Sequence, residues 1–487
     1  MRKALNFETP NLIRAGLVVM AVAFSLMTGI SILIFGDPLS PLFIAGGVLA
    51  AVLAVVFLLN PIWAVCAAIF IGLLPYEILN YNPIPVIHDY PVLFCLLFAC
   101  VSWLLSVIIY HQKIVWNNAI LLMLVFLVWC VITLFWAPDL LLGRRQFMAY
   151  FIGLILLILL VNNINSPRTL NTLMTTLALN GWVLVLAGVG TILIEGYRFD
   201  SRLEVLGLNE NEMGTLTLLM MIGVLWSVVQ PSSPYRQIKR LFSLIFLLMT
   251  ITLVAASGSR GSAISLLITF IAFCLWKPTR AWGLLGLISL MLGFFLTPVI
   301  FSTTLARFDI SQGDTLLGGR EALWQATWNL ILDHPWLGVG IGNSRHALTP
   351  YAILLRSIGG KESAATHNPI LQVWAEIGLP GILLYLGVLG SAALLYVRHY
   401  FIGPRFGMHM LVPYFALVSS TSFGYMASWI KGGGMESNFS YYLMLSLLMI
   451  PASLILMDKE KQRNSINDLE ATHYIATSQI SDQKFAR

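Results

Sequence analysis

Apolar runs of roughly 17 to 25 residues, the length a helix needs to cross the hydrocarbon core of a bilayer, recur from about residue 15 to about residue 457 with short connections between most of them. Lipid offers no hydrogen bonds, so a backbone lying in it must satisfy its N–H and C=O groups internally, and such a chain is driven toward a bundle of helices. The expected spans are 15–35, 41–59, 61–79, 91–110, 119–136, 147–162, 172–195, 213–230, 241–256, 262–277, 282–303, 379–397, 410–428 and 438–457. The run from Gly16 to Phe35 follows Met1-Arg2-Lys3 but is too long for the apolar region of a cleaved leader, so it counts as a retained span. Composition agrees: 58% of residues are hydrophobic, 10% are charged and the mean hydropathy is +0.84, well outside the soluble range. The expected fold class is all-α, a polytopic integral membrane protein of about 12–14 transmembrane helices.

The chain divides into a helix bundle over 1–303, a large loop over 304–378, C-terminal spans over 379–457 and a polar tail over 458–487 whose low apolar content predicts disorder. All five cysteines (Cys66, Cys95, Cys100, Cys130 and Cys274) fall inside apolar runs, where packing explains them better than a disulfide frame or a metal site. Placing both termini in the cytoplasm puts Arg2, Lys3, Lys113, Arg168, Arg236, Lys239, Arg240, Lys277, Arg280, Arg398 and Arg405 in inner loops, as the positive-inside rule requires.

That topology leaves Arg144, Arg145, Arg198, Arg202, Arg260, Arg307, Arg320, Arg345 and Arg356 on the outer side, with only Lys361 and Lys431 beside them. A guanidinium fork binds two phosphate oxygens at once whereas an ammonium is a point charge, so the bias points to an anionic, phosphorylated ligand. The competing explanation is pairing with outer acids such as Asp200, Glu204, Asp309, Glu321 and Glu362.

Three stretches carry chemistry. In "LVAASGSRGSAISLL" (253–267), Arg260 lies between two apolar runs with almost no loop to keep it in water; an arginine there snorkels or meets an anion, and the surrounding glycines and serines bring backbone N–H groups close. In "GGREALWQATWNLILDHPWLGVGIGN" (318–343), a helix is predicted from near Arg320 with Trp324, Trp328 and Ile331 along one face, a stripe suited to the membrane surface or to packing over the bundle. Arg320 falls in its first turn, where the helix dipole also favours an anion. In "ESAATHNPILQVWAEIGLPG" (362–381), His367 lies near the outer boundary, with Gln372 and Glu376 one and two turns into a helix that begins at about Pro369. An imidazole so placed takes a proton from a hydroxyl near neutral pH. His88, His334 and His346 are its outer-side rivals. "GVGIGN" is no dinucleotide fingerprint, because no βαβ unit surrounds it. Neither a phosphate-binding loop nor a zinc spacing occurs, so no cofactor, no metal and no nucleic-acid partner is expected.

Taken together, "SGSRGS" at 257–262, "GGREALW" at 318–324, "HPWLGVGIGN" at 334–343 and "HNPILQVWAEIGLPG" at 367–381 resemble, in order and spacing, the bacterial superfamily of O-antigen ligases and O-antigen polymerases. The resemblance spans roughly residues 200–400 and is most specific in the last motif. It implies a bundle of the membrane glycosyltransferase C type in the inner membrane, with a large periplasmic loop. It also implies inverting, metal-independent transfer of a glycan from undecaprenyl diphosphate to a hydroxyl of the lipid A core or of another glycan. Carried over by position, His367 activates the acceptor while Arg260 and Arg320 hold the donor diphosphate. Arg202 and Asn211, in "YRFDSRLEVLGLNENEMG" (197–214), are candidates for the donor-sugar path, with a structural ion-pair network as the competing reading. The length and the number of spans exceed those of a typical ligase and leave polymerase and protein-glycosylating relatives open. A small-anion transporter would place ionisable groups near the bilayer midplane, where the expected spans hold almost none.

Overall fold

The computed structural model describes residues 40–74, 89–195, 203–205, 207–208, 210–230, 235–296, 320–351, 366–403, 409, 411–430, 439–456 and 459. Among them repeating structure is helical, and the only β pairing is an isolated bridge between Val205 and Leu208. In chain order the helices are α1 (Ser40–Leu59), α2 (Pro61–Gly72), α3 (Asp89–Tyr110), α4 (Asn118–Thr133), α5 (Leu140–Asn163), α6 (Pro167–Glu195), α7 (Glu210–Val229), α8 (Arg236–Ala256), α9 (Arg260–Leu275), α10 (Arg280–Leu296), α11 (Arg320–Asp333), α12 (Ser344–Ala347), α13 (Pro369–Ile402), α14 (Leu411–Trp429) and α15 (Phe439–Leu456).

Among the described residues eight helices are long and apolar enough to cross a membrane: α3 to α8, α13 and α15. Ala50–Leu59 of α1 and the helices α2, α9 and α10 form a shorter apolar set. The span expected at 15–35 lies outside the described residues, as does the tail 458–487 apart from Lys459. α14, expected as a span at 410–428, is helical but less apolar because of its run Ser419 to Ser422. Three of those four hydroxyls are absorbed locally: Ser419 donates to the Phe415 carbonyl (2.6 Å), Thr421 to that of Leu417 (2.8 Å) and Ser422 to that of Val418. Two boundaries move well upstream: the span expected from 379 belongs to a helix that begins at Pro369, and a second start shifts at a cap. The span expected from 147 begins at Leu140, because Asp139 caps the helix by accepting the N–H groups of Leu141 (2.8 Å) and Leu142 (3.1 Å). Arg144 and Arg145 are therefore exposed helical residues and not loop residues.

Two helices form the centre of the bundle. In the apolar 18-residue stretches of α7 and α15, 89% of residues are buried, against 39% in those of α3, α4, α6 and α13, whose remaining sides face outward. Lipid tails are as apolar as leucine, so helices in a membrane associate through close packing, and small residues permit it. A Cβ at Gly223 of α7 would lie 2.4 Å from the Met174 carbonyl oxygen of α6, and one at Gly214 would lie 2.1 Å from the Ser262 hydroxyl of α9. Gly153 of α5 takes the Tyr442 ring of α15 in the same way.

α13 is broken in the middle, and the break dictates much of what surrounds it. Gly378 has φ 69° and ψ −172°, a region open essentially to glycine alone, and Pro380 lacks the N–H that would bond to the Glu376 carbonyl. The groups left over are taken up from outside the helix. The Glu376 carbonyl accepts the Gly340 N–H (2.8 Å), that of Ala375 accepts the Val339 N–H (2.9 Å), and the Leu379 N–H donates to the Pro335 carbonyl (3.0 Å). The Trp129 indole of α4 donates to the Ile377 carbonyl (2.8 Å). A Cβ on Gly378 would sit 2.1 Å from the Trp336 carbonyl oxygen. Gly378→Ala is accordingly expected to cost at least about 3 kcal/mol and to remove most of the monodisperse protein on size-exclusion chromatography of detergent extracts. A wild-type yield would show that the break tolerates a side chain.

Candidate functional site

His367 sits two residues before α13, held out of the helical path by local chemistry. The Asn368 side chain accepts the N–H groups of Ile370 (3.0 Å) and Leu371 (3.2 Å), and Pro369 takes the first helical position, where its missing N–H costs nothing. The backbone of His367 has φ 50°; histidine tolerates this left-handed region better than most residues, yet it still stores of order 1 kcal/mol. The imidazole is partly buried. Burial, followed by the positive charges of Arg320 and Arg345, pushes its pKa below the ordinary imidazole value, so the ring is neutral and able to accept a proton at physiological pH.

Arg320 reaches this neighbourhood because α11 lies along the first turns of α13. Leu323, Ala326, Leu330 and Ile331 of α11 close over Leu348 and Ala375, flanked by Leu371 and Trp374. Of the stripe Trp324, Trp328 and Ile331 expected from the sequence, Ile331 joins that cluster and Trp324 packs against it. Ile331 is buried, but Trp328 is 42% exposed and meets the Trp374 ring edge-on at 5.5 Å. At the far end of α11 the Tyr351 hydroxyl donates to Asp333. The rival His334 follows that end, exposed and about 20 Å from Arg320 by helical rise. His346 is exposed beside Arg345, and His88 lies outside the described residues.

The loop between α11 and α12 is the "GVGIGN" run, and its work is structural. Gly338, Gly340 and Gly342 all have positive φ, and a Cβ at Gly338 would lie 2.5 Å from the Glu376 carbonyl oxygen. The loop therefore seats directly on the break in α13. Glu376, 2% exposed, turns its carboxylate back to the loop: it accepts the Gly342 N–H (2.9 Å), the Ser344 hydroxyl (2.7 Å) and the Gln372 amide (3.3 Å). Asn343 ties the same loop to the start of α5, accepting the Asp139 N–H (2.9 Å) and donating to the Asp139 carbonyl (3.1 Å). Arg345 follows Ser344 on α12 and, though exposed, lies close enough for its charge to act on His367. The sequence shows Arg345 only as one outer arginine among nine; its role emerges from the loop, and the glycines at alternate positions were the signal that this segment is tightly turned.

Arg260 and Asn211 form a second neighbourhood. α8 ends at Ala256, Gly258 turns the chain at φ 63°, and α9 starts at Arg260. Ser259 caps α9, its hydroxyl oxygen accepting the Ser262 N–H (3.2 Å) while its proton goes to the Asn211 side-chain oxygen (2.6 Å). Asn211 belongs to the first turn of α7, which brings that helix start against the start of α9. Arg202 lies outside the described residues. Arg260 and Arg320 thus each open a helix and His367 precedes one, where the helix dipole gathers partial positive charge although the Asn368 cap already takes the first N–H groups of α13. Such an arrangement attracts anions. Among the described residues no three or more histidine, cysteine, aspartate or glutamate side chains are grouped to hold a metal ion.

Residues 244–386 match the family model described as O-Antigen ligase, a stretch that contains Arg260, Arg320, Arg345, His367 and Glu376. None of the curated proteins matches the chain. With that match set in a bundle of apolar helices, the chain is a multi-pass membrane protein whose residues 244–386 are similar to the O-antigen ligase family.

Proposed function

We propose that the protein transfers a glycan from undecaprenyl diphosphate to an acceptor hydroxyl of the lipid A core, at the periplasmic face of the inner membrane, with inversion and without metal or nucleotide. The observation that carries this reading is the meeting of His367, kept neutral, with Arg320 and Arg345 inside the matched region. A neutral imidazole beside guanidiniums is what an acceptor hydroxyl and a diphosphate require of one site. Arg260 and Arg320 grip the diphosphate, each charge-assisted bond contributing about 1.5 to 3 kcal/mol. The acceptor oxygen bonds to the anomeric carbon from the side opposite the diphosphate as its proton passes to His367. The anomeric C–O bond breaks with its electron pair leaving on undecaprenyl diphosphate, whose developing charge the arginines stabilise. Asn211, beside the Ser259 cap, and Arg202 line the path of the donor sugar. In this reading the loop 304–378 is the periplasmic catalytic segment, set between the bundle 1–303 and the spans 379–457, with 458–487 in the cytoplasm.

Deleting the chain from its host and resolving the surface polysaccharide on a gel tests the proposal. Core lacking polymer, with long lipid-linked chains accumulating, is the expected result. A single capped repeat assigns the protein as a polymerase of the same superfamily, and an unchanged polysaccharide ladder contradicts glycan transfer altogether.

A further inference from the structure

Glu376 has no part in the steps above, yet it is the charged residue that the fold treats with most care. A carboxylate removed from water costs several kcal/mol unless its oxygens are bonded, and this one, 2% exposed, is met by a backbone N–H, a hydroxyl and an amide. An aliphatic side chain would fill the same volume without that demand. The bonds join three separate pieces of chain. Gly342 belongs to the loop after α11, Ser344 opens the short helix that presents Arg345, and Gln372 lies on α13 one turn before Glu376. Through its main chain the same residue also accepts the Gly340 N–H (2.8 Å). His367 heads the helix from which Glu376 projects, so the carboxylate sets the register between the element carrying the imidazole and the element carrying Arg345.

We infer that Glu376 is a positioning residue for glycan transfer: by fastening the 338–344 loop to α13 it fixes the Arg345 guanidinium close to His367. The inference rests on the assignment of His367 as the proton acceptor. The groups facing His367 from neighbouring elements are Arg320 with Glu321 on α11 and Arg345 with His346 on α12. Three further helices packed on α13, namely α4, α14 and α15, carry no charged side chain. Loosening the fastening withdraws one positive charge and opens the ring to water, and both changes move the imidazole back toward its ordinary behaviour.

The test uses the full-length protein in lipid nanodiscs with an undecaprenyl diphosphate-linked glycan and an acceptor, measuring kcat/KM against pH for Glu376→Ala, Glu376→Gln, Ser344→Ala, Arg345→Gln and His367→Ala. Glu376→Ala is expected to lower the rate about 10- to 100-fold and to shift the acidic limb of the profile upward. Arg345→Gln should shift the limb in the same direction, and the Glu376→Ala/Arg345→Gln double variant no further than Glu376→Ala. If Glu376→Ala fails to accumulate as folded protein, Glu376→Gln and Ser344→Ala should show the same shift at smaller size. A fall in rate with an unmoved limb would reduce Glu376 to a fold-holding residue and overturn the inference while leaving His367 inactive on substitution. Activity retained in His367→Ala would overturn the base assignment and the inference with it.

Discussion

Replacing His367 by alanine is expected to slow glycan transfer about 10²- to 10⁴-fold while leaving the protein in the membrane at wild-type amount. The residue precedes α13 and contributes no core packing, so its loss removes chemistry and not structure. The left-handed backbone at 367 points the same way, since alanine there adds strain of only about 1 kcal/mol, far below the loss expected for the missing proton acceptor. The pH profile of the wild-type enzyme follows from the same surroundings. The acceptor hydroxyl needs the neutral ring, and burial with the charges of Arg320 and Arg345 holds the pKa down. Activity should therefore persist as pH falls through the ordinary imidazole value and be lost only below it. An acidic limb at or above that value would mean that a different group takes the proton.

Arg320→Ala is expected to lower kcat/KM for the lipid-linked donor by about 10² to 10⁴, the loss of two charge-assisted bonds of roughly 1.5 to 3 kcal/mol each. Arg320→Lys should recover only a minor part of this, because an ammonium cannot bond two phosphate oxygens with fixed geometry. Near-normal activity in Arg320→Lys would show that charge alone suffices. The two arginines are separable by a second readout. Arg320 lowers the pKa of His367, and Arg260 is not among the groups that do. Arg320→Ala should raise the acidic limb as well as weaken the donor, whereas Arg260→Ala should weaken the donor with the limb in place.

Most of the bundle was legible because lipid leaves the backbone so little choice. Apolar runs of spanning length had to be helices, and the expected spans from 41–59 to 438–457 coincide with helices wherever residues are described. The start of α11 near Arg320 was likewise legible, whereas the Ser259 cap that starts α9 at Arg260, two residues before the expected span, was not. What escaped depends on contacts between residues far apart in the chain. Gly378 and Pro380 announce a break in α13, but nothing local names Trp129, some 248 positions earlier, as the group that satisfies the Ile377 carbonyl. The same is true of Arg345, which carries no motif of its own and gains its place from a loop folded onto Glu376. Of the stripe on α11, Trp324 and Ile331 pack against the neighbouring helices while Trp328 stays exposed, because periodicity identifies an apolar face without saying how much of it a neighbour covers.

In the proposed reaction guanidiniums grip a lipid diphosphate while a neighbouring imidazole does separate work. Native mass spectrometry of the full-length protein titrated with undecaprenyl diphosphate measures that division directly. One bound lipid is expected for the wild type and, at similar affinity, for His367→Ala, with binding at least about tenfold weaker for Arg260→Ala and for Arg320→Ala, the loss of roughly one charge-assisted bond. Wild-type affinity in the Arg260→Ala/Arg320→Ala double variant would contradict the claim.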